Sequence, residues 1–262
     1  MGRRSQYAPG TFSWIELSTT DPAGAKEFYR ELFGWDYQDT EVPGGVYAMA
    51  QLGGDDVAGI MSQPEQQRAA GAPPAWFSYL TVTSVDEAAA AAAKLGGSVH
   101  AEPFDVTDAG RMAVIADPAG AMFGVWEPRT HIGSGLVNEP GSLTWNELAT
   151  GDVPAVVGFY ESLFGWTVEE IDTGGGPRYW TIAHEGGAGG RNGGMRELEA
   201  GGPPPHWLPY FAVRSVDATL ATVGRRGGRT LLPAIEIPTG KFAAFSDPQG
   251  AALAVFEGEF DD

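Results

Sequence analysis

The sequence predicts an α+β protein of four βαβββ modules, arranged as two tandem domains. Three observations predict it: a duplication spanning the chain, a hydrophobic period that switches from two to 3.6 residues at the same place in each repeat, and Gly and Pro gathered between the periodic segments. The duplication is direct. WIELSTTDPAGAKEFYRELFGW from Trp14 and WNELATGDVPAVVGFYESLFGW from Trp145 share 11 of 22 positions at an offset of 131. Trp76 then matches Trp207, Tyr79 matches Tyr210, and Gly96-Gly97 matches Gly227-Gly228. Near the ends, DPAGAMFGVWE from Asp117 answers DPQGAALAVFE from Asp247. Periodicity lapses in EPRTHIGSGLVNEPGS, so the domains are read as 1–130 and 131–262.

Each element of one copy follows from its pattern. Residues 12–18 alternate, with Ile15 and Leu17 on one face and Trp14, Glu16 and Ser18 on the other, as in a half-buried strand. Asp21 suits an N-cap and Pro22 the first helical turn. Ala25, Phe28, Tyr29, Leu32 and Phe33 recur at helical spacing, and Gly34 closes the helix. Short strands are predicted near 35–39, 46–52 and 57–61. The stretches 62–75 and 196–206 read as loops that split each copy into two modules. Residues 76–82 form the next strand, Ser84 and Glu87 a capping box, and the Ala-rich helix ends at Leu95-Gly96. Strands near 98–104, 111–116 and 121–127 complete the copy, and Gly174-Gly175-Gly176 reads as a hairpin turn in the second.

Composition narrows the function. Cys is absent, which excludes disulfides, thiolate metal sites and a Cys nucleophile, and fits a reducing cytoplasm. A net charge of −18, with no basic cluster to offset it, repels phosphate backbones and argues against nucleic acid. No apolar run is long enough to span a bilayer, so no membrane partner is expected. The Gly-rich segments GGDDVAGI and EGGAGGRNGG lack the strand–turn–helix context of a phosphate loop.

The pattern W-x-E-L-x-T-x-D, then F-Y-x-x-L-F-G-W, D-P-x-G and a last strand ending W-E or F-E resembles the vicinal oxygen chelate superfamily of glyoxalases, bleomycin-resistance proteins and dioxygenases, in its two-domain form. The resemblance covers nearly the whole chain. It implies sheets curled around grooves and, in metal-dependent members, ligands on the first and last strands of the modules. The first-strand ligand position lies seven residues before the helix-opening Asp, which is Trp14 in one copy and Trp145 in the other. The corresponding positions in the second module of each copy are Phe77 and Leu208, and the last-strand carboxylate position falls on Gly124 and Ala254. The strand near VAGIM (57–61), like NGGM (192–195), offers no His or carboxylate. None of these side chains can donate a lone pair to a divalent ion, so no metal and no cofactor is expected. The four histidines, His100, His131, His184 and His206, fall outside these positions and read as surface or strand-end residues.

An aromatic box with one carboxylate is expected in each groove instead. Its ligand-binding candidates are Trp14, Tyr47, Phe77, Tyr79 and Trp126 in the first copy, and Trp145, Trp180, Tyr210 and Phe256 in the second. Glu16 and Glu147 are the catalytic candidates, because a carboxyl in apolar surroundings needs a partner or a purpose. A structural role stands beside the catalytic one, with backbone amides or an arginine such as Arg111 as partner. Equally, the aromatics read as core as readily as ligand walls. Glu127 and Glu257 alternate onto the other face as surface charges. The expected function is metal-independent binding of an aromatic metabolite or antibiotic. Acid–base catalysis by a groove Glu is the alternative, and metal-dependent chemistry from unexpected ligands a third reading. The two domains are expected to pair as an internal pseudo-dimer in a monomer, or to form a homodimer.

Overall fold

Residues 2–42, 45–184 and 190–259 are described by a computed structural model. The alternating stretch at the start becomes β1 (Phe12–Thr19), with Ile15 and Leu17 fully buried. Asp21 caps α1 (Pro22–Phe33) by accepting from the Gly24 amide, and Gly34 ends it in the left-handed region at φ 77°. Strands β2 (Asp36–Val42), β3 (Gly45–Leu52) and β4 (Asp55–Ser62) complete the first module. The stretch read as loop holds one short helix, α2 (Glu65–Ala69), with no buried residue to betray it as an amphipathic pattern. The second module comprises β5 (Ala75–Thr81), α3 (Val85–Lys94), β6 (Ser98–Val106), β7 (Gly110–Ala116) and β8 (Met122–Pro128).

The second domain repeats this plan. It runs β9 (Leu143–Thr150), α4 (Val153–Phe164), β10 (Thr167–Ile171), β11 (Tyr179–Ala183) and β12 (Arg191–Glu197). Its last module is β13 (His206–Ala212), α5 (Val216–Arg225), β14 (Arg229–Ile237), β15 (Gly240–Ser246) and β16 (Ala252–Gly258). Each domain is one eight-stranded mixed sheet, in the orders β2-β3-β4-β1-β5-β8-β7-β6 and β10-β11-β12-β9-β13-β16-β15-β14. The first strands of the two modules run antiparallel at the sheet centre, and each pairs in parallel with the last strand of its own module.

The two domains share their cores. The first module packs on the fourth, where Phe28, Tyr29, Phe33 and Trp35 meet Phe211, Val223 and Phe245. The second packs on the third, where Leu80, Val85 and Phe123 meet Phe159, Tyr160 and Trp166. Polar contacts lock the arrangement. Tyr29 donates to Asp247 Oδ2 (2.9 Å) and accepts from Trp76 Nε1 (3.1 Å), while Tyr160 donates to Asp117 Oδ2 (2.9 Å) and accepts from Trp207 Nε1 (3.1 Å). Trp35 Nε1 donates to the Gly141 carbonyl and Trp166 Nε1 to the Gly10 carbonyl. Most residues that marked the duplication in F-Y, F-G-W and D-P-x-G therefore hold one copy to the other.

Glu127 and Glu257 are not simple surface charges. Their carboxylates accept from the first amides of α3 and α5, Val85 N at 3.0 Å and Val216 N at 2.8 Å. Each closes a helix N-terminus whose amides have no partner within the helix.

Candidate functional site

Alternation on β1 sends Trp14 and Glu16 to the sheet face away from the helices. There Trp14, Tyr79 and Trp126 form one apolar cluster, against which Met49, Phe77, Val106, Ala109 and Met112 pack. Met49 on β3 and Val106 on β6 lie near opposite edges of the sheet yet join the same cluster, so the sheet curls around it. Glu16 stands among these rings. Tyr79 donates to Glu16 Oε1 (3.2 Å), Tyr47 also bonds the carboxyl, and Trp14 Nε1 donates to the Tyr47 hydroxyl (3.2 Å). Burial pushes the Glu16 carboxyl above the usual carboxylate range, and the two phenols pull it only partly back.

Two glycines make room for the phenols. A Cβ on Gly59, directly across from Glu16 on β4, would collide with the Tyr47 hydroxyl, and one on Gly124 would collide with the Tyr79 ring. In the second domain a Cβ on Gly194 would meet the Tyr179 hydroxyl in the same way.

The second groove has the same plan with different partners at its polar centre. Leu208, Tyr210 and Ala254 form its floor, with Trp145, Phe242, Ala244, Ala252 and Phe256 packed around them. Trp145 Nε1 donates to Tyr179 (3.0 Å) and Tyr210 to Glu147 Oε2 (3.0 Å). Glu147 is buried and its Oε1 accepts from Arg196 Nε at 2.8 Å. Among the described residues Glu16 has no such cation: it lies opposite Gly59 and Glu147 opposite Gly194, so Met61 stands where Arg196 stands. Arg111, the arginine anticipated for a groove Glu, instead pairs with Asp86 and Asp105 at the surface.

Most of the anticipated groove residues gather as the alternation requires: Trp14, Tyr47, Phe77, Tyr79 and Trp126 around Glu16, and Trp145, Tyr210 and Phe256 around Glu147. Trp180 does not. It lies in the inter-domain core together with Ile182, and Tyr179 takes the groove position. The longer turn between β10 and β11 shifts the repeat offset locally, and a slip of one residue exchanges the faces of a strand. His131 also departs from the surface position expected of it. Its ring sits edge-on to Trp14 at 4.7 Å between centroids, and its carbonyl accepts from Trp126 Nε1 (2.9 Å), so the inter-domain linker closes the first groove. Its Nε2 is buried without a partner among the described residues, and burial holds its pKa below the usual imidazole value. Nothing in the linker's period hinted at this. Arg196 is one of two arginines, with Arg191, on the strand beside the one carrying Glu147, and nothing in the pattern singled it out.

The family's metal does not fit here. In the first groove its positions hold an indole, a phenyl ring and a glycine, with no His or carboxylate on the remaining ligand strand (57–61), and the Tyr79 ring fills the space where a side chain on residue 124 would start. Neither aromatic carbon nor hydrogen supplies the lone pairs a divalent ion needs. Among the described residues no group of three or more His, Cys, Asp or Glu could hold an ion.

Paired βαβββ modules forming one mixed sheet curled around a polar-centred aromatic cluster define the class of fold, and the chain builds it twice. The chain belongs to the Glyoxalase/Bleomycin resistance protein/Dioxygenase superfamily, whose model matches residues 11–125 and again 142–255. It is 43% identical over 261 residues to the Mycobacterium tuberculosis protein named "Putative glyoxylase CFP32", covering 98% of each chain. It is 33% identical to the anthracycline biosynthesis protein DauV of Streptomyces sp. (strain C5), covering 97% of this chain and 95% of that one. Among solved structures, the 2,3-dioxygenase LapB of Pseudomonas sp. KL28 superposes with a TM-score of 0.67 over 98% of this chain and 95% of its own, at 13% identity. The Mn(II)-bound glyoxalase of Novosphingobium aromaticivorans superposes with a TM-score of 0.64 over 100% and 86%, at 17% identity. At those identities the likeness is one of fold.

Proposed function

We propose that this chain is a metal-independent binding protein for a flat aromatic small molecule, held against an aromatic wall without a cofactor. The observation that carries the reading is the exchange at the family's ligand positions of donor side chains for Trp14, Phe77 and Gly124, and for Trp145, Leu208 and Ala254. Rings around a small polar centre suit a flat ligand whose few oxygens fix its orientation. The similarity to a protein named for anthracycline biosynthesis supports a polycyclic aromatic ligand. The net charge of −18 argues against nucleic acid, and no helix among the described residues is long and apolar enough to cross a membrane. The reading takes the protein as a cytoplasmic monomer whose domains pair with each other, so sedimentation should give the mass of one chain.

The test is elemental analysis of protein purified without added metal, followed by thermal shift with polycyclic hydroxyquinones. A metal content far below one per chain and a ligand-dependent rise in Tm support the reading. Stoichiometric zinc, nickel, manganese or iron overturns it.

One observation favours a second reading, acid–base chemistry at Glu16. A carboxyl raised by burial and flanked by two phenols retains its proton nearer to neutral pH than a free one. Glu16→Gln and Glu147→Gln variants that keep both ligand binding and any turnover remove this alternative.

A further inference from the structure

The two grooves are built alike, each with three buried residues and five half-buried ones, but expose different walls and carry different polar centres. In the first, Trp14 and Trp126 are only 5% and 7% exposed, and His131 of the linker packs edge-on against both. Their counterparts in the second, Trp145 and Phe256, are half-buried, and Phe242 and Ala252 beside them are also partly open. The polar centres differ as well. Glu147 accepts from Arg196 on one oxygen and from Tyr210 on the other, and Tyr179 also bonds it. With both oxygens so engaged, Glu147 is placed to hold the arginine.

Only Nε of Arg196 is used in this contact. Among the described residues Nη1 and Nη2 have no acceptor, and the Arg196 side chain is 38% exposed. A guanidinium fixed by a buried carboxylate presents its remaining N–H groups as a planar fork, matched to two oxygens of one anionic group.

We infer that the second-domain groove is the ligand site, and that Arg196, oriented by Glu147, selects a flat aromatic ligand carrying a carboxylate or similar acidic oxygen pair at one edge. The first groove, with Met61 in place of the arginine and His131 across its mouth, is a structural copy. This rests on the binding reading above and adds to it which groove binds, and what chemistry it recognises. The overall charge of −18 repels anions, so a preference for an anionic ligand requires a local cation.

The experiment is calorimetric titration with a matched pair, anthraquinone-2-carboxylate and anthraquinone-2-carboxamide, into the full chain. Wild type should bind one carboxylate per chain, at least about tenfold more tightly than the amide, as expected for a charge-assisted pair. Arg196→Met, which copies the first domain, should abolish that preference. Because it strands a buried carboxylate, Arg196→Met/Glu147→Gln is measured beside it, with melting curves confirming that both variants fold. Equal affinity for the two compounds, two equivalent sites, or an unchanged preference in both variants overturns this inference and leaves the binding reading standing. No heat from either compound at millimolar concentration overturns both.

Discussion

Tyr160→Phe removes one oxygen from a buried chain of three groups that joins the domains. The hydroxyl donates to Asp117 Oδ2 at 2.9 Å and accepts from Trp207 Nε1 at 3.1 Å, with all three residues buried. Asp117 keeps its bonds from the Ala119 and Ala121 amides, so it loses one partner of several. The indole loses the acceptor of its only polar hydrogen. A hydrogen bond to a carboxylate contributes about 1.5–3 kcal/mol, and a buried donor left unmet costs about 1–3 kcal/mol. With partial relaxation, the loss should be about 3 kcal/mol, or roughly 6–12 °C in Tm for a chain of this size. Tyr29→Phe, its counterpart against Asp247 and Trp76, should cost the same. Tyr37→Phe is the control, because its buried hydroxyl has no hydrogen-bond partner among the described residues, and it should be neutral or slightly stabilising. Urea unfolding followed by far-ultraviolet circular dichroism measures all three. Equal midpoints for Tyr160→Phe and Tyr37→Phe would refute the reasoning.

The two glutamates should respond to amidation with opposite signs. Glu16 has a raised folded pKa, so its contribution is fully present below the unfolded value of about 4.3 and lost as pH rises through the folded one. Glu16→Gln should therefore gain on wild type between pH 4 and pH 8, whereas Glu147→Gln, which breaks a pair with a part-exposed arginine, should lose about 1–2 kcal/mol at pH 7. Denaturation midpoints across that range check both, and a pH-independent gap for Glu16→Gln contradicts the first. His131→Ala should cost about 1 kcal/mol at pH 7.5 through its edge contact with Trp14 and admit acrylamide to the first-groove indoles. Because the His131 pKa is lowered, its stabilisation is present above about pH 6.5 and lost as pH falls, so the cost should shrink by pH 5; a constant cost counts against the buried neutral ring. Gly124→Ala should cost about 1–3 kcal/mol, because the new methyl must displace the Tyr79 ring from beside Glu16. A Tm within 1 °C of wild type would mean the ring is not held there.

The duplication, the four modules and most of the element boundaries are legible in the chain because they rest on local rules. Alternation assigned the faces of β1, Asp21 and Gly34 bounded α1, and fixed spacing placed Trp14 and Gly124 at the family's ligand positions. Where an unequal turn broke the spacing, the same logic failed by one residue and sent Trp180 to the wrong face. The short α2 escaped for another reason: it buries nothing, so no hydrophobic period marks it.

Sequence alone thus determined which side chains share a strand face, because backbone geometry sets that period whatever lies beyond. Partners distant in the chain were settled only by the tertiary structure. Tyr29 meets Asp247 from 218 positions away, the linker brings His131 against Trp14, and Arg196 reaches Glu147 across two strands that neighbour each other only once the sheet forms. These contacts decide that one glutamate is held among phenols and the other is paired with a cation. The physical reason is that charge state depends on burial and on neighbours within a few ångströms, and both belong to the folded chain as a whole.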